Sequence, residues 1–220
     1  MFKKFNDRQQ AGVQLANELS EFSARADTLV LALPRGGVPV AHEVAMMLNL
    51  PLDLWLVRKL GVPGHEELAM GAIAQGDIRI INQDVVDQLG IPQQALEQEI
   101  IQQQAELERR NQLYRGDNPA PEIEAMTIIV VDDGLATGAT MKAAVCALRK
   151  AKAAEIIVAV PVGAISTCNE IKKLADKVVC LSTPEPFYGV GRWYRDFSQT
   201  SDKQVQELMS GFTSQGSKEV

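Results

Sequence analysis

The densest chemistry in this 220-residue chain lies in Ile128-Ile129-Val130-Val131-Asp132-Asp133-Gly134-Leu135-Ala136-Thr137-Gly138-Ala139-Thr140. An apolar run ends on two adjacent carboxylates, and a Gly/Thr loop leads into an expected helix. The first amides of a helix point outward, and its dipole favours an anion. Thr137 and Thr140 add hydroxyl donors, and Gly138 lets backbone come close. The loop Ala136, Thr137, Gly138, Ala139 and Thr140 therefore suits a phosphomonoester. Two carboxylates would repel a phosphate if that were the whole ligand. A ribose resolves the conflict: Asp132 and Asp133 accept hydrogen bonds from vicinal hydroxyls while the 5′-phosphate reaches the loop. A nearby Mg²⁺ adds further compensation.

Two other segments carry charge at expected strand ends. Pro34-Arg35-Gly36-Gly37 offers exposed amides at Gly36 and Gly37 and a cation at Arg35, a pattern that suits a polyanion. It also reads as a plain glycine turn before a helix. Arg58-Lys59 is either a solvated basic strand end or a contact to the same polyanion. The second reading follows from ligands gathering at carboxyl strand ends. Other nucleotide signatures are absent. No GxxxxGK[ST] stands in the central loop, and no GxGxxG follows an early strand. A hydrolase of another kind would need a nucleophile or a metal cluster. His42 and His65 are the only histidines, and neither has metal-ligand spacing.

The elements that position these residues alternate. Short apolar runs at 28–33, 52–57, 126–131, 155–161 and 177–181 read as strands buried on both faces. Helical patterns fall at 7–22 (stripe Val13, Leu15, Ala16, Leu19, Phe22), 38–48, 92–114, 138–151 and 165–174. Residues 60–68 read as a Gly/Pro loop, and 69–82 as a hairpin turning at Gln75-Gly76-Asp77. Ser201 with Gln204 fits a capping box for a last helix, and SQGSKEV reads as a frayed tail. This order predicts an α/β fold: a parallel twisted sheet with helices on both faces.

Composition narrows the class. Apolar residues make up 46% and charged residues 23%, enough for a large core. A net charge of −6 opposes non-specific nucleic-acid binding, which needs a basic surface. No run approaches a membrane span, and no signal peptide is expected at MFKKFNDRQQ. Cys146, Cys168 and Cys180 lack CxxC spacing and read as reduced thiols of a cytoplasmic protein.

Residues 128–141 resemble the signature of type I phosphoribosyltransferases, which bind 5-phosphoribosyl 1-pyrophosphate (PRPP), and the resemblance extends over roughly residues 28–200. It implies one domain over 1–220. The core would span about 28–182, a mobile loop about 60–74, and a hood 183–200 together with N-terminal residues. It implies a Mg²⁺-dependent transfer of the 5-phosphoribosyl group from PRPP to a nitrogenous base, with Mg²⁺ held through PRPP near Asp132 and Asp133. Purine-type members are the nearest resemblance, which implies a place in purine salvage. The partners implied are PRPP, a nucleobase-like acceptor and a second copy of the chain, with neither nucleic acid nor membrane. Arg35, Gly36 and Gly37 would form a pyrophosphate loop, with a cis peptide expected at Pro34–Arg35. Arg58 and Lys59 would enter the mobile catalytic loop.

The resemblance splits over the acceptor. Hypoxanthine-guanine members place an Asp just before the Thr-Gly, where this chain has Ala136. Adenine members also read ATG and take a Glu from the mobile loop, which makes Glu66 and Glu67 candidates for the general base, with His65 an alternative. Trp193-Tyr194-Arg195-Asp196-Phe197 is similar to a segment of 6-oxopurine members whose Arg helps bind pyrophosphate, a role carried to Arg195. Phe187, in an aromatic run within a chain of 5% aromatics, is the candidate for stacking on a base. The competing reading is a non-catalytic regulator that binds PRPP or a nucleotide without turnover.

Overall fold

The computed structural model describes residues 4–213, apart from the side chains of Glu66, Glu67 and Thr213. The tail at 214–220, expected to fray, lies outside the described residues. Five parallel strands form the main sheet: β1 (Thr28–Ala32), β2 (Leu52–Leu54), β6 (Thr127–Val131), β7 (Glu155–Val162) and β8 (Lys177–Ser182), in the order β2-β1-β6-β7-β8. β1 and β6 are buried at every position. Alternate residues of these strands feed two cores, as a pleated strand requires.

One core takes Val30, Ala32, Ile129 and Val131 with α1 (Arg8–Glu18), α2 (Gly37–Leu48), α4 (Gln93–Arg115) and α7 (Asp202–Thr213). The other takes Leu31, Ile128, Val130 and Val158 with α5 (Ala139–Lys150) and α6 (Ile165–Ile171). A sheet covered on both faces explains why its strands read as continuous apolar runs. Ser201 and Gln204 exchange the hydrogen bonds of the expected capping box at the start of α7. No described helix is long and apolar enough to cross a membrane.

The structure departs from the sequence expectations in three places. The apolar run 52–57 is divided: Leu52–Leu54 stays in the parallel sheet, while Val57 begins β3 (Val57–Val62) of a second, antiparallel sheet. Residues 60–68 are not a loop. They belong largely to β3 and β4 (His65–Ala74), and the turn is confined to Pro63-Gly64, where Gly64 takes φ +77°. Leu60, Val62 and Met70 are buried in the same core as Leu96 and Leu107 of α4, so this ribbon is held by packing. β4 continues through Gly76 and Asp77, both at positive φ, into β5 (Ile78–Ile81), completing the expected hairpin. A short α3 (Gln83–Gln88) then precedes α4.

The third departure is Val13, which is exposed; α1 buries Ala11, Gly12, Leu15 and Ala16 instead. The cause is a close helix contact. A Cβ on Gly12 would stand 2.6 Å from the carbonyl oxygen of Val40 in α2, so the seam runs through a glycine that a hydrophobic stripe does not mark.

One buried cation ties the two sheets together. Arg115, at the end of α4, donates to Asp53 Oδ1 (2.7 Å), to the carbonyl of Leu54 (2.8 Å), to Gln75 Oε1 (3.3 Å) and to Asn111 Oδ1 (2.6 Å). Apart from Asn111, one turn earlier on α4, these groups come from β2 and the β4–β5 turn. Truncating one partner of a buried ion pair strands the others. Arg115→Ala is expected to cost about 3–5 kcal/mol in urea unfolding. A loss below about 1 kcal/mol would assign this pair to the class of surface salt bridges.

Candidate functional site

The site forms where β1 and β6 deliver their following loops to the same edge of the sheet. Leu33 N donates to the carbonyl of Val131 (2.9 Å), which sets the two loops side by side. The peptide Pro34–Arg35 is cis, as the resemblance implied. Gly36 and Gly37 then press onto the acids. A Cβ at Gly36 would lie 2.2 Å from Asp133 Oδ2, and one at Gly37 would lie 2.6 Å from the carbonyl oxygen of Val131. Only glycine allows this approach, so the expected polyanion loop and the acid pair are parts of one structure.

Gly138 shows the same constraint at the other end of the central motif. It caps α5 at φ +70°, and a Cβ there would stand 2.5 Å from Thr167 Cγ2. Ala136, Thr137 and Thr140 are exposed at the mouth of the helix, with the half-buried Ala139 and the buried Gly138 between them; the carbonyl of Ala136 accepts from Thr167 Oγ1 (2.6 Å). The loop is thus fixed from beneath and open above, with the first amides of α5 available to an anion.

The two acids have unequal surroundings. Asp132 Oδ1 accepts from the amide of Asp133 (2.8 Å). Asp133 Oδ2 accepts from Arg8 Nε (2.9 Å) and pairs with Arg8 Nη2 (2.9 Å). Arg8 Nη1 reaches the carbonyl of Ser198 (2.8 Å), and its guanidinium lies over the ring of Phe197, 4.0 Å from the centroid. Tyr194 donates to the carbonyl of Asp133 (2.7 Å). Burial and then the charge of Asp133 push the Asp132 carboxyl well above the usual carboxylate range. Burial also raises Asp133, against the pull of Arg8.

The cationic side is built from three elements. Arg35 pairs with Asp202 at the start of α7 (3.6 Å), and Asp202 also accepts from Tyr114 of α4 (2.5 Å). Arg58 donates to Gln103 of α4 (2.8 Å). It lines a cleft with Pro34, Trp55, Leu107, Arg110 and Thr140. Burial and the neighbouring Arg110 lower the Arg58 guanidinium from its ordinary value. Two guanidinium groups beside a helix N-terminus make a site for an anion. Lys59 follows Arg58 on a strand and so takes the opposite face of β3.

The remaining candidates disperse. Glu66 and Glu67 lie on β4 with side chains outside the described residues, and His65, an exposed residue, opens that strand. Phe187 packs against a small cluster of Phe5, Val162 and Tyr194 beneath the hood, whereas Tyr188 is 75% exposed. Arg195 is exposed, and its amide donates to the carbonyl of Phe5 (2.9 Å), so the N-terminal segment does join the hood.

Sequence reasoning missed Arg8, Arg110, Tyr194 and Asp202. Arg8 is 125 positions from its acid and carries no local signal. Tyr194 stands in the sequence only as one member of an aromatic run.

Fold and site together define an α/β protein of the type I phosphoribosyltransferase fold. The chain belongs to the phosphoribosyltransferase family: the family profile described as "Phosphoribosyl transferase domain" matches residues 7–191. Two Mycobacterium tuberculosis proteins, each named "Putative phosphoribosyl transferase", are 45% identical over 203 residues, 92% of this chain and 46% of theirs. The chain therefore spans about half the length of the curated relatives it matches. The crystal structure of TT1426 from Thermus thermophilus superposes with a TM-score of 0.86 at 37% identity, covering 95% of this chain and 99% of that one.

The raised Asp132 carboxyl has a consequence for stability. An acid whose folded pKa exceeds its unfolded value, near 3.8, favours folding fully only below that value, and the contribution is lost as pH rises through the folded pKa. Asp132→Asn removes this penalty. The variant is expected to unfold at a higher urea midpoint than the parent at pH 8, with the gap shrinking toward pH 4.5. An equal gap at both pH values would show that folding does not raise the Asp132 carboxyl.

Proposed function

We propose that this chain transfers the 5-phosphoribosyl group from PRPP to a nitrogenous base and releases pyrophosphate. The observation that carries this reading is the contact of Gly36 with Asp133. It joins the polyanion loop to the acid pair, and Asp132 and Asp133 lead in turn to the Gly138 loop. Three parts of one ligand are answered in order: the 5′-phosphate at 136–140, the ribose hydroxyls at Asp132 and Asp133, and the pyrophosphate at Arg35, Gly36, Gly37 and Arg58. Arg110 extends the last group, and Lys59 and Arg195 remain assigned to it by family resemblance.

In the reaction the bond from C1 of the ribose to pyrophosphate breaks as a base nitrogen attacks. Positive charge builds on the ribose and negative charge on the leaving oxygen. Arg35 and Arg58 sit on the leaving-group side, and Asp132 and Asp133 on the ribose side. Pre-arranged charges of this kind lower the barrier without reorganising during the step. Orientation does much of the remaining work. The proton on the attacking base is assigned to Glu66 or Glu67, with His65 the alternative. Phe187 is assigned to the acceptor pocket, and the protein is read as a homodimer.

Mg²⁺ belongs to this proposal. Among the described residues no group of three or more His, Cys, Asp or Glu could hold a metal. The acid pair suits the ion's usual manner of binding, in which one or two carboxylates supplement substrate phosphates. Asp132 and Asp133 would stand near it, and when bound it would neutralise charge on the leaving group.

Incubation with PRPP, Mg²⁺ and a panel of purines, pyrimidines and their analogues is expected to release pyrophosphate with at least one base. Arg58→Ala should lower kcat about 10²–10³-fold with a smaller change in KM for PRPP. Asp132→Asn combined with Asp133→Asn should abolish PRPP binding. PRPP binding without turnover on any base would favour a regulator, and no binding at all would end the proposal.

A further inference from the structure

Cys168 and Cys180 meet directly beneath the phosphate loop. Cys168 lies on α6, 3% exposed, and Cys180 lies on β8, partly exposed. Both sulfurs point into the same space beside Gly163. Gly163, at the end of β7, leaves the space around the sulfurs open: a Cβ there would stand 2.7 Å from Cys168 Sγ and 3.5 Å from Cys180 Sγ. Cys146 lies on α5 and is not among the atoms nearest Gly163.

The same spot bears on the loop at 134–140. Leu135 N donates to the carbonyl of Val162 (2.9 Å), and Ala164 N donates to the carbonyl of Leu135 (2.9 Å), so the loop is laced to the residues on either side of Gly163. Thr167, the neighbour of Cys168, donates to the carbonyl of Ala136 (2.6 Å) and packs against Gly138. A shift of the first turn of α6 is therefore transmitted to the loop that would hold a phosphate.

We propose that Cys168 and Cys180 are a reversible redox pair, closed to a disulfide by a small peroxide, and that closure weakens phosphate binding through Thr167. The Cys168 thiolate attacks a peroxide oxygen; the O–O bond breaks, leaving a sulfenic acid on Cys168 and one water once the displaced hydroxide takes up the thiol proton. The Cys180 thiol attacks that sulfur, the S–S bond forms, the S–O bond breaks, and a second water carries off the Cys180 proton. Two electrons pass from the thiols to the peroxide. The neighbouring Cys180 brings the Cys168 thiol down to about 7, while the Cys180 thiol donates to the carbonyl of Ser182 (3.2 Å), which favours Cys168 as the attacking group. The burial of Cys168 selects a small oxidant over a bulky disulfide.

The bridge itself is independent of the proposed function, whereas its effect on binding rests on the reading of residues 136–140 as a phosphate loop. The reduced chain is treated with hydrogen peroxide, and thiols are counted in denaturant. The count is expected to fall from three to one and to recover with dithiothreitol, with peptide mapping joining Cys168 to Cys180. Cys168→Ser and Cys180→Ser should each abolish the joined peptide. Survival of all three thiols, or a bridge through Cys146, would overturn the pair. Calorimetry with ribose 5-phosphate is expected to show about 10-fold weaker binding to the oxidised chain. Peroxide-treated Cys180→Ser should bind as the reduced parent does. Equal affinity in both redox forms of the parent would refute the coupling. If the reduced chain binds no ribose 5-phosphate, the phosphate-loop reading fails, and the thiol count still decides the bridge.

Discussion

Two carboxylates on adjacent residues at the mouth of a buried strand repel each other and lose hydration, and the cleft is organised around that cost. Asp132 and Asp133 follow β6 where backbone from the β1 exit crowds them, with Gly36 pressed against Asp133. Removing one charge would relieve the strain in the free protein. The chain instead brings in a remote cation: Arg8, from the first turn of α1, donates twice to a single oxygen of Asp133. Its third contact, to Ser198, and its stacking on Phe197 bind it to the hood. The packing of α1 against α2, the entry of the N-terminal segment beside Tyr194 and the placement of the hood all serve to hold that guanidinium in position. A forked, stacked site of this kind calls for arginine rather than lysine.

The compensation is incomplete. Arg8 engages Asp133 Oδ2, and among the described residues Asp132 receives only the neighbouring amide. The residual cost is visible as the upward shift of both carboxyls. A ligand that donates hydroxyls here recovers what burial has taken from the folded chain. At Asp132 binding energy of that origin would need little rearrangement, since the acceptor is already fixed.

How legible this was from the sequence depends on the range of each interaction. Segments whose signal is local read well. The apolar runs at 126–131 and 155–161 became β6 and β7, Ser201 and Gln204 capped α7, and the Gly/Thr loop opened α5. Pro63 and Gly64 misled because a two-residue turn carries the same punctuation as a long loop, while the burial that makes 57–74 a ribbon comes from α4, a separate and later element of the chain. Arg8 and Arg110 were invisible for the same reason: each is an ordinary helical arginine until the fold carries it to the cleft. Phe187 shows the reverse ambiguity. An aromatic run signals both a stacking platform and a small core, and only tertiary packing separates Phe187, which is packed inward, from Tyr188, which is exposed.

The charged groups of the cleft share a further property. Arg35 is held by Asp202, Arg58 by Gln103 and Asp133 by Arg8. Each partner comes from a helix outside the loops that form the cleft: α7, α4 and α1. A ligand therefore exchanges existing contacts instead of meeting bare charges, and each single exchange gains little. On the proposed reading, a lone phosphate would recover only the loop at 136–140, and a lone pyrophosphate would have to displace Asp202 to reach Arg35. A ligand that spans the cleft makes all the exchanges at once, and the later ones are intramolecular and carry a high effective concentration. On that reading, selectivity for the whole ligand over its fragments would arise from the resting contacts as much as from the loops themselves.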